Sequence, residues 1–521
     1  MERMRIKSIM VVGGGSSGWM TAAALSSYFK DQVKVSLVES KNVPIVGVGE
    51  STLLQFNNFL KLLKLKDEDW MPHCNATYKA SIRFTDFYEK GKTYEYPFGD
   101  AADNKSITEW AFIASKYNLD HNSFAEYHSD NYYLAKHNKL SLNSEEEFNY
   151  NFDRDLSYHL DATAFGQFLR KKVCEPNDVR HFTDDIVSVT KDEYGYLTSV
   201  VGDSGTKYEA DLFIDCTGFK SLLLEKEMNS EFLSYKDWLS NDRAIATKIP
   251  YTNKETQINN VTNCTALSSG WSWNIPLWNR VGTGYVYSSD FIDDDSAEEE
   301  FKSYLGVDDI DIKKINIRHG IRKDGWVKNV VGVGLSYGFI EPLESTGLLT
   351  THQMIENIIE ILDRTNFKVT GLDIDGYNYS SQTTVNGLRN FVSMHYKMSS
   401  RNDSPYWRYQ TLEKNWIDID ESKFCRTTTM LGGTSYTNEY DALLQKHSWS
   451  HQWPSDAAGL LYVLSGNGHR PFGNFLRNKL NLPEGLVEKI YSNYVQRTKE
   501  MDEEISKLPS TYEFLKEHVY S

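Results

Sequence analysis

Residues 6–12 (IKSIMVV) form an apolar run that stops at Gly13-Gly14-Gly15-Ser16-Ser17-Gly18, and an alanine-rich stretch of helix formers follows at 19–25. A second apolar strand, Val33–Val38, ends in Glu39. Strand, glycine-rich turn, helix, strand and acid, in that order, predict a βαβ unit that binds a dinucleotide. Gly13 permits the tight turn, Gly15 lets the backbone approach a pyrophosphate, and Gly18 lets the helix pack close to the strand. Glu39 is placed to accept hydrogen bonds from a ribose diol. Further along, Asp161 N-caps an amphipathic helix running to about Cys174. His181–Thr190 and Tyr196–Val201 alternate like paired strands around Tyr194-Gly195. Buried strands are expected at 210–219 and 327–335, and a helix from about Leu348 to Leu362. Gly332, Gly334 and Gly338 have the wrong spacing for a second nucleotide fingerprint. The last 140 residues read as helices at Asn386–Met398, Asp441–Lys446, Asp456–Leu464 and Glu484–Leu508, with Trp407, Trp416, Trp449 and Trp453 in the loops between them.

Composition narrows the function classes. The chain has 521 residues, 56 Lys and Arg against 72 Asp and Glu, and a formal charge of -16. An acidic balance argues against a nucleic-acid partner, which needs clustered cations. A small anion is still within reach, held by backbone amides at a helix terminus. Acidic runs at Asp293–Glu300 and Asp418–Glu421 read as solvated faces. The five cysteines are far apart and contain no CxxC pair, as expected in a reducing compartment. Glycines interrupt the N-terminal apolar run after Val12, too early for a signal peptide, and no stretch has membrane-span length. A cytoplasmic protein with no membrane partner is the expectation.

Three motifs carry a resemblance. Trp271-Ser272-Trp273-Asn274-Ile275-Pro276 has the WxWxIP form of flavin-dependent halogenases. Lys79, in Thr77-Tyr78-Lys79-Ala80-Ser81-Ile82, stands where that family carries its essential lysine. Phe339-Ile340-Glu341-Pro342-Leu343-Glu344-Ser345-Thr346-Gly347 resembles the segment that supplies a catalytic glutamate and then the halide site in the tryptophan (indole) branch. Gly47-Val48-Gly49-Glu50-Ser51-Thr52 is similar to the strap linking flavin and substrate sites, and His395-Tyr396 and Ser404-Pro405-Tyr406-Trp407 are also family-like. The resemblance implies an α/β fold: an FAD-binding, Rossmann-like module of the two-dinucleotide-binding-unit type over 1–380, including the strap at 41–52 and a β-rich insert at 180–290. A mostly helical substrate-covering region fills 381–521.

It also implies a reaction and a set of roles. Reduced FAD, O2 and a halide ion give hypohalous acid, which crosses the interior to the organic substrate. Lys79 would hydrogen-bond it or form a haloamine, while Glu344 would polarise the halogen, accept the ring proton, or both. The halide would sit on the amides of Thr346 and Gly347, and Gly13, Gly15, Ser16, Gly18, Glu39, Gly49, Val187 and Gly334 would hold the FAD. Trp271 and Trp273 would exclude a nicotinamide, so a separate flavin reductase is the implied partner. Tyr96 and Phe98 would sandwich a small aromatic substrate, with Tyr96 where tryptophan halogenases usually carry a histidine. No metal is expected, and a homo-oligomer stays open.

Taken singly these residues have ordinary readings. A strand lysine between Thr77 and Ser81 is usually exposed, Glu344 could serve a helix dipole, and Trp271 and Trp273 at i and i+2 could share a buried sheet face. Two other functions also fit the fingerprint: a flavin monooxygenase using NAD(P)H directly, and a non-catalytic flavin-binding protein. The joint order of the motifs favours FADH2-dependent halogenation of a free aromatic or heteroaromatic, indole-like molecule.

Overall fold

A six-stranded sheet carries the N-terminal fingerprint in this computed structural model, which describes residues 4–42, 47, 49–99, 104–142, 150–414 and 484–521. Part of the strap, the expected helices at Asp441–Lys446 and Asp456–Leu464, the acidic run 418–421, and Trp416, Trp449 and Trp453 lie outside the described residues. The chain is α/β, with mixed sheets and C-terminal helices. Contacts divide it into two units interleaved along the sequence rather than consecutive: Met1–Ala76, Leu160–Lys236 and Arg318–Leu388 form one, and Thr77–His159, Asp237–Ile317 and Arg389–Ser521 the other.

In the first unit the sheet order is Trp326–Val327, Val330–Gly332, Leu212–Asp215, Ser8–Val12, Lys34–Glu39 and Arg180–Thr183. The first pair is an antiparallel hairpin and every other pairing is parallel. Central strands buried on both faces read as continuous apolar runs, which is why SIMVV and LFID were visible in the sequence. The chain leaves Ser8–Val12 toward one edge and returns on its other side at Leu212–Asp215. That reversal opens a crevice at the carboxyl ends of the strands. Asp215 pins the return: its buried carboxylate accepts from Thr217 N and Oγ1 and from the amides of Leu223 and Leu224, at 2.6–3.0 Å.

Three expected elements differ. The single strand His181–Thr190 is two: Arg180–Thr183 joins the parallel sheet, and Ile186–Lys191 pairs antiparallel with Leu197–Gly202 in a separate three-stranded sheet. The break falls at Asp184, whose carboxylate accepts hydrogen bonds from Ser204 and Tyr208. The run 327–335 folds as the hairpin just described and a short 3-10 turn at Gly334–Ser336. The helix expected at Asn386–Met398 begins far earlier, at Gly371, and ends at Lys397. Its first half is poor in helix formers, so propensity hides it. Asp373 nevertheless secures the start, accepting from Thr370 N at 2.9 Å and Thr370 Oγ1 at 2.6 Å.

The second unit is built on a seven-stranded sheet ordered Lys313–Asn316, Arg243–Ile249, Val281–Tyr287, Gly270–Pro276, Val261–Leu267, Ser81–Thr85 and Thr93–Pro97. The helix Asp294–Leu305 covers one face through Ala297 and Phe301, against Ile245, Tyr285 and Tyr287. The helix Glu484–Ile505 packs on Asn104–Tyr117 and Asp130–His137, where Asp502 receives Lys136 Nζ at 2.9 Å and His137 Nε2 at 2.7 Å. Among the described residues no helix is long and apolar enough to cross a membrane.

His352, on the helix Thr346–Arg364, tests the core of the first unit. Its ring stacks on Phe59 with centroids 4.5 Å apart, and Nε2 lies 3.3 Å from the sulfur of Met20. Burial pushes its pKa down to about 3. The unfolded imidazole takes a proton near pH 6.5, so stability is full above that pH and is lost as pH falls toward 3. At pH 5 this residue alone costs about 2 kcal/mol. In urea unfolding at pH 7.5 and pH 5, the change on acidification should be about 2 kcal/mol less destabilising in His352→Phe than in the wild type.

Candidate active site

The crevice of the first unit holds a cavity of about 270 Å³. Its walls come from the carboxyl ends of three neighbouring strands: Gly15, Ser16 and Ser17 after Ser8–Val12, Cys216 and Gly218 after Leu212–Asp215, and Val333, Gly334 and Leu335 after Val330–Gly332. Thr346 and Gly347 close another side, with Glu50 from the strap. Gly13 turns the chain into this crevice at φ +110°, where a Cβ would fall 2.3 Å from the carbonyl oxygen of Cys216. A Cβ on Gly15 would meet nothing within 4 Å, so its backbone faces open space.

Two helices begin at this cavity without a side-chain cap. Ser16–Phe29 starts from Gly15, and Thr346–Arg364 from Ser345, held left-handed at φ 59°. Ser345 Oγ instead bonds Ser51 Oγ at 2.9 Å, which ties the strap to the start of the second helix. First-turn amides without a cap partner, together with the helix dipole, form a site for negative charge. Glu50 Oε2 lies 3.9 Å from where a Cβ of Gly347 would be. Burial raises the Glu50 carboxyl to about 7. Glu344 is buried two residues ahead of the helix rather than in its first turn.

Glu39 lies beside the glycine-rich turn, where a Cβ on Gly14 would collide with it. It accepts from His181 Nε2 at 2.8 Å, with Arg170 at 4.0 Å. His181 also packs on Trp19, centroids 5.2 Å apart.

The second unit places Lys79 in the strand Thr77–Lys79, fully buried, with Nζ 4.9 Å from the ring centre of Phe98. Backbone bonds lock this pair: Phe98 N donates to Ala80 O at 2.9 Å, and Ala80 N to Asn260 O at 2.7 Å. Tyr96, buried on Thr93–Pro97, meets Phe391 edge to face at 6.5 Å. Trp271 and Trp273 share one face of Gly270–Pro276, their rings 6.2 Å apart. Gly284 makes room for Trp273, since a Cβ there would fall 2.1 Å from its ring.

His159 did not stand out in the sequence, because the strand SYHL carries no motif. It pairs across the sheet with Thr77, and its Nδ1 lies 3.1 Å from Thr77 Oγ1. Thr77 Oγ1 donates at 2.6 Å to the carbonyl of Pro276, the last residue of the WxWxIP segment. That hydroxyl therefore accepts from Nδ1–H, leaving Nε2 to accept from Thr262 Oγ1 at 2.8 Å. Burial, and then the charge of Lys79, hold His159 neutral, with its pKa well below the usual value. The Thr77 hydroxyl thus joins the lysine strand to the tryptophan strand, and the neutral imidazole joins Thr77 to Thr262 on Val261–Leu267.

A family model described as tryptophan halogenase matches residues 8–453, most of the chain. The chain belongs to the tryptophan halogenase family. It is an enzyme of the flavin-dependent halogenase kind. The 7-chloro-L-tryptophan 6-halogenase KtzR of Kutzneria sp. (strain 744) is 34% identical over 422 residues, 77% of this chain and 81% of that protein. The apo structure of VirX1 matches with a TM-score of 0.89 at 43% identity, covering 99% of each chain. Xcc4156, a flavin-dependent halogenase from Xanthomonas campestris, matches with a TM-score of 0.85 at 26% identity over 99% of each.

The residues of this halogenase fit the flavin that its family implies. Gly15, Ser16 and Gly334 offer backbone and small side chains to the same cavity as Thr346 and Gly347. Gly49 directly precedes the cavity residue Glu50. Val187 is placed elsewhere, 65% exposed on the separate three-stranded sheet, and lines none of the cavity. Gly334 has φ +68°, and a Cβ there would fall 2.4 Å from Ser17 Oγ. Gly334→Ala should therefore weaken FAD binding about tenfold or more, the equivalent of about 1.4 kcal/mol, in a flavin-fluorescence titration.

Proposed function

We propose that this halogenase uses reduced FAD, O2 and a halide ion to halogenate a free aromatic or heteroaromatic, indole-like small molecule in the cytoplasm. The observation that carries the reading is a cavity bordered both by the glycine-rich turn and by the start of the helix at Thr346 and Gly347, which no side chain caps. Gly13, Gly15, Ser16, Gly18, Glu39, Gly49 and Gly334 would hold the FAD, and bound FAD supplies, with O2, the oxidising equivalent that converts halide to hypohalous acid. The family's fold supports a module of the two-dinucleotide-binding-unit type for that purpose.

The chain's own groups do the rest. The Thr346 and Gly347 amides fix the halide. Lys79 is dry and rigidly placed, so its ammonium can donate a hydrogen bond to hypohalous acid, or its amine can carry the halogen after losing a proton. Glu344 polarises the halogen or accepts the ring proton. Tyr96 and Phe98 cover the flat substrate, and the ring of Phe98 against Lys79 brings an aromatic face to the ammonium. Relatives such as KtzR are named for a tryptophan substrate, which supports an indole-like ring. Tyr96 alters the polar edge offered to it. Trp271 and Trp273 would exclude a nicotinamide, so a separate reductase would supply reduced FAD.

The test combines purified protein, FAD, a flavin reductase with NADH, bromide and a panel of indoles. Brominated product is expected, and none with chloride, bromide or iodide would overturn the reading. Lys79→Ala should lower product formation at least a thousandfold while reduced flavin is still consumed. Without the reductase, the protein and FAD should not oxidise NADPH above background; steady consumption would favour direct nicotinamide chemistry.

A further inference from the structure

Among the described residues that line the cavity, Glu50 is the one carboxylate. It stands on the strap, beside the Ser51 hydroxyl that bonds Ser345, and its Oε2 lies 3.9 Å from the position a Cβ on Gly347 would take. An ionised carboxylate there would compete for the same positive field that a halide needs, because two anions in a low-dielectric cavity repel strongly. Protonation removes that repulsion and leaves an O–H that can donate to the halide.

We propose that Glu50 admits a halide to the Thr346 and Gly347 amides only when its carboxyl is protonated, so that one halide and one proton are taken up together. This rests on the halide reading above and adds the control of that site. The surroundings favour it. No charged residue stands in the first turn of Ser16–Phe29, and no acidic one in that of Thr346–Arg364. Among the described lining residues there is no lysine, arginine or histidine to hold Glu50 ionised. Cys216 and Tyr337, the other titratable groups on the wall, are kept neutral by burial. His352, further along the Thr346–Arg364 helix, is neutral against Phe59. Arg322, on the strand paired with Gly338–Phe339, is engaged by Glu225. Glu341 and Glu344 precede the helix and bring no cation. The Glu50 carboxyl changes state near pH 7, within the range where an enzyme assay is practical.

The measurement is the bromide KM of the reductase-coupled reaction from pH 6 to pH 9, with the organic substrate saturating. With binding confined to the protonated form, KM rises about tenfold from pH 6 to pH 8 and about tenfold again by pH 9, while kcat at saturating bromide changes far less. Glu50→Gln, which keeps the shape and cannot ionise, should flatten the KM profile; Glu50→Asp should retain a slope. A second readout needs no turnover. Bromide added to the FAD-bound wild type at pH 8 in weak buffer should draw close to one proton per site, seen with a pH indicator, and Glu50→Gln should draw none. A flat wild-type profile, absence of proton uptake, or a slope that survives in Glu50→Gln would overturn the proposal. Failure of the enzyme to halogenate at any pH would instead overturn the function proposed above.

Discussion

Amides that a helix cannot satisfy by itself are the constraint on which the first unit turns. The helices Ser16–Phe29 and Thr346–Arg364 both open onto one cavity with no side chain capping them. Their first N–H groups must find water or an anion, and the aligned peptide dipoles favour the anion. The neighbouring strands make this possible. A parallel sheet whose connections reverse direction beside Ser8–Val12 leaves its carboxyl ends uncovered at that point, and the two helix starts come to lie around the same opening. Thus an acidic chain of net charge -16 can still turn the positive ends of two helix dipoles toward one cavity.

The second unit solves the opposite electrostatic problem. Lys79 is a cation removed from water, which is costly unless something attractive surrounds it. The face of Phe98 offers its quadrupole, and the adjacent sheet bonds through Ala80 hold the two in register. His159 stays neutral nearby, so it adds no second positive charge. Its hydrogen bonds to Thr77 and Thr262 leave each partner satisfied, and Thr77 passes the constraint on to Pro276.

The sequence made legible whatever depends on local pattern. The fingerprint from Ser8 to Glu39 combines two buried strands, a glycine turn and an alanine-rich helix, each of which announces itself. Asp161 is a visible N-cap, and in the structure it accepts from Thr163 and Ala164. Features set by distant partners were hidden. The division between Arg180–Thr183 and Ile186–Lys191 depends on which sheet each joins, and alternation alone carries no such address. The helix from Gly371 forms against propensity because tertiary packing supplies what its glycines, serines and asparagines do not. Glu50 could be read in the strap, but its closeness to Gly347, almost 300 positions away, is a product of the fold. Lys79 was expected at its post only through family resemblance; composition and strand pattern alone would have put it in solvent.

The interleaving of the two units bears on how the protein is made. Ser8–Val12 pairs in parallel with Leu212–Asp215, so at roughly 10 residues per second a nascent chain carries that apolar strand with one edge vacant for about 20 s. The Thr346–Arg364 helix leaves the ribosome later still, and the second unit waits for its C-terminal helices Glu484–Ile505 and Thr511–His518. Neither unit can close during the first half of translation. Long-range parallel pairing is slow even in a finished chain, so folding is largely post-translational and a stalled or truncated product exposes an adhesive strand edge. Expression yield should therefore respond to growth temperature and chaperone supply more than to the stability of the finished enzyme.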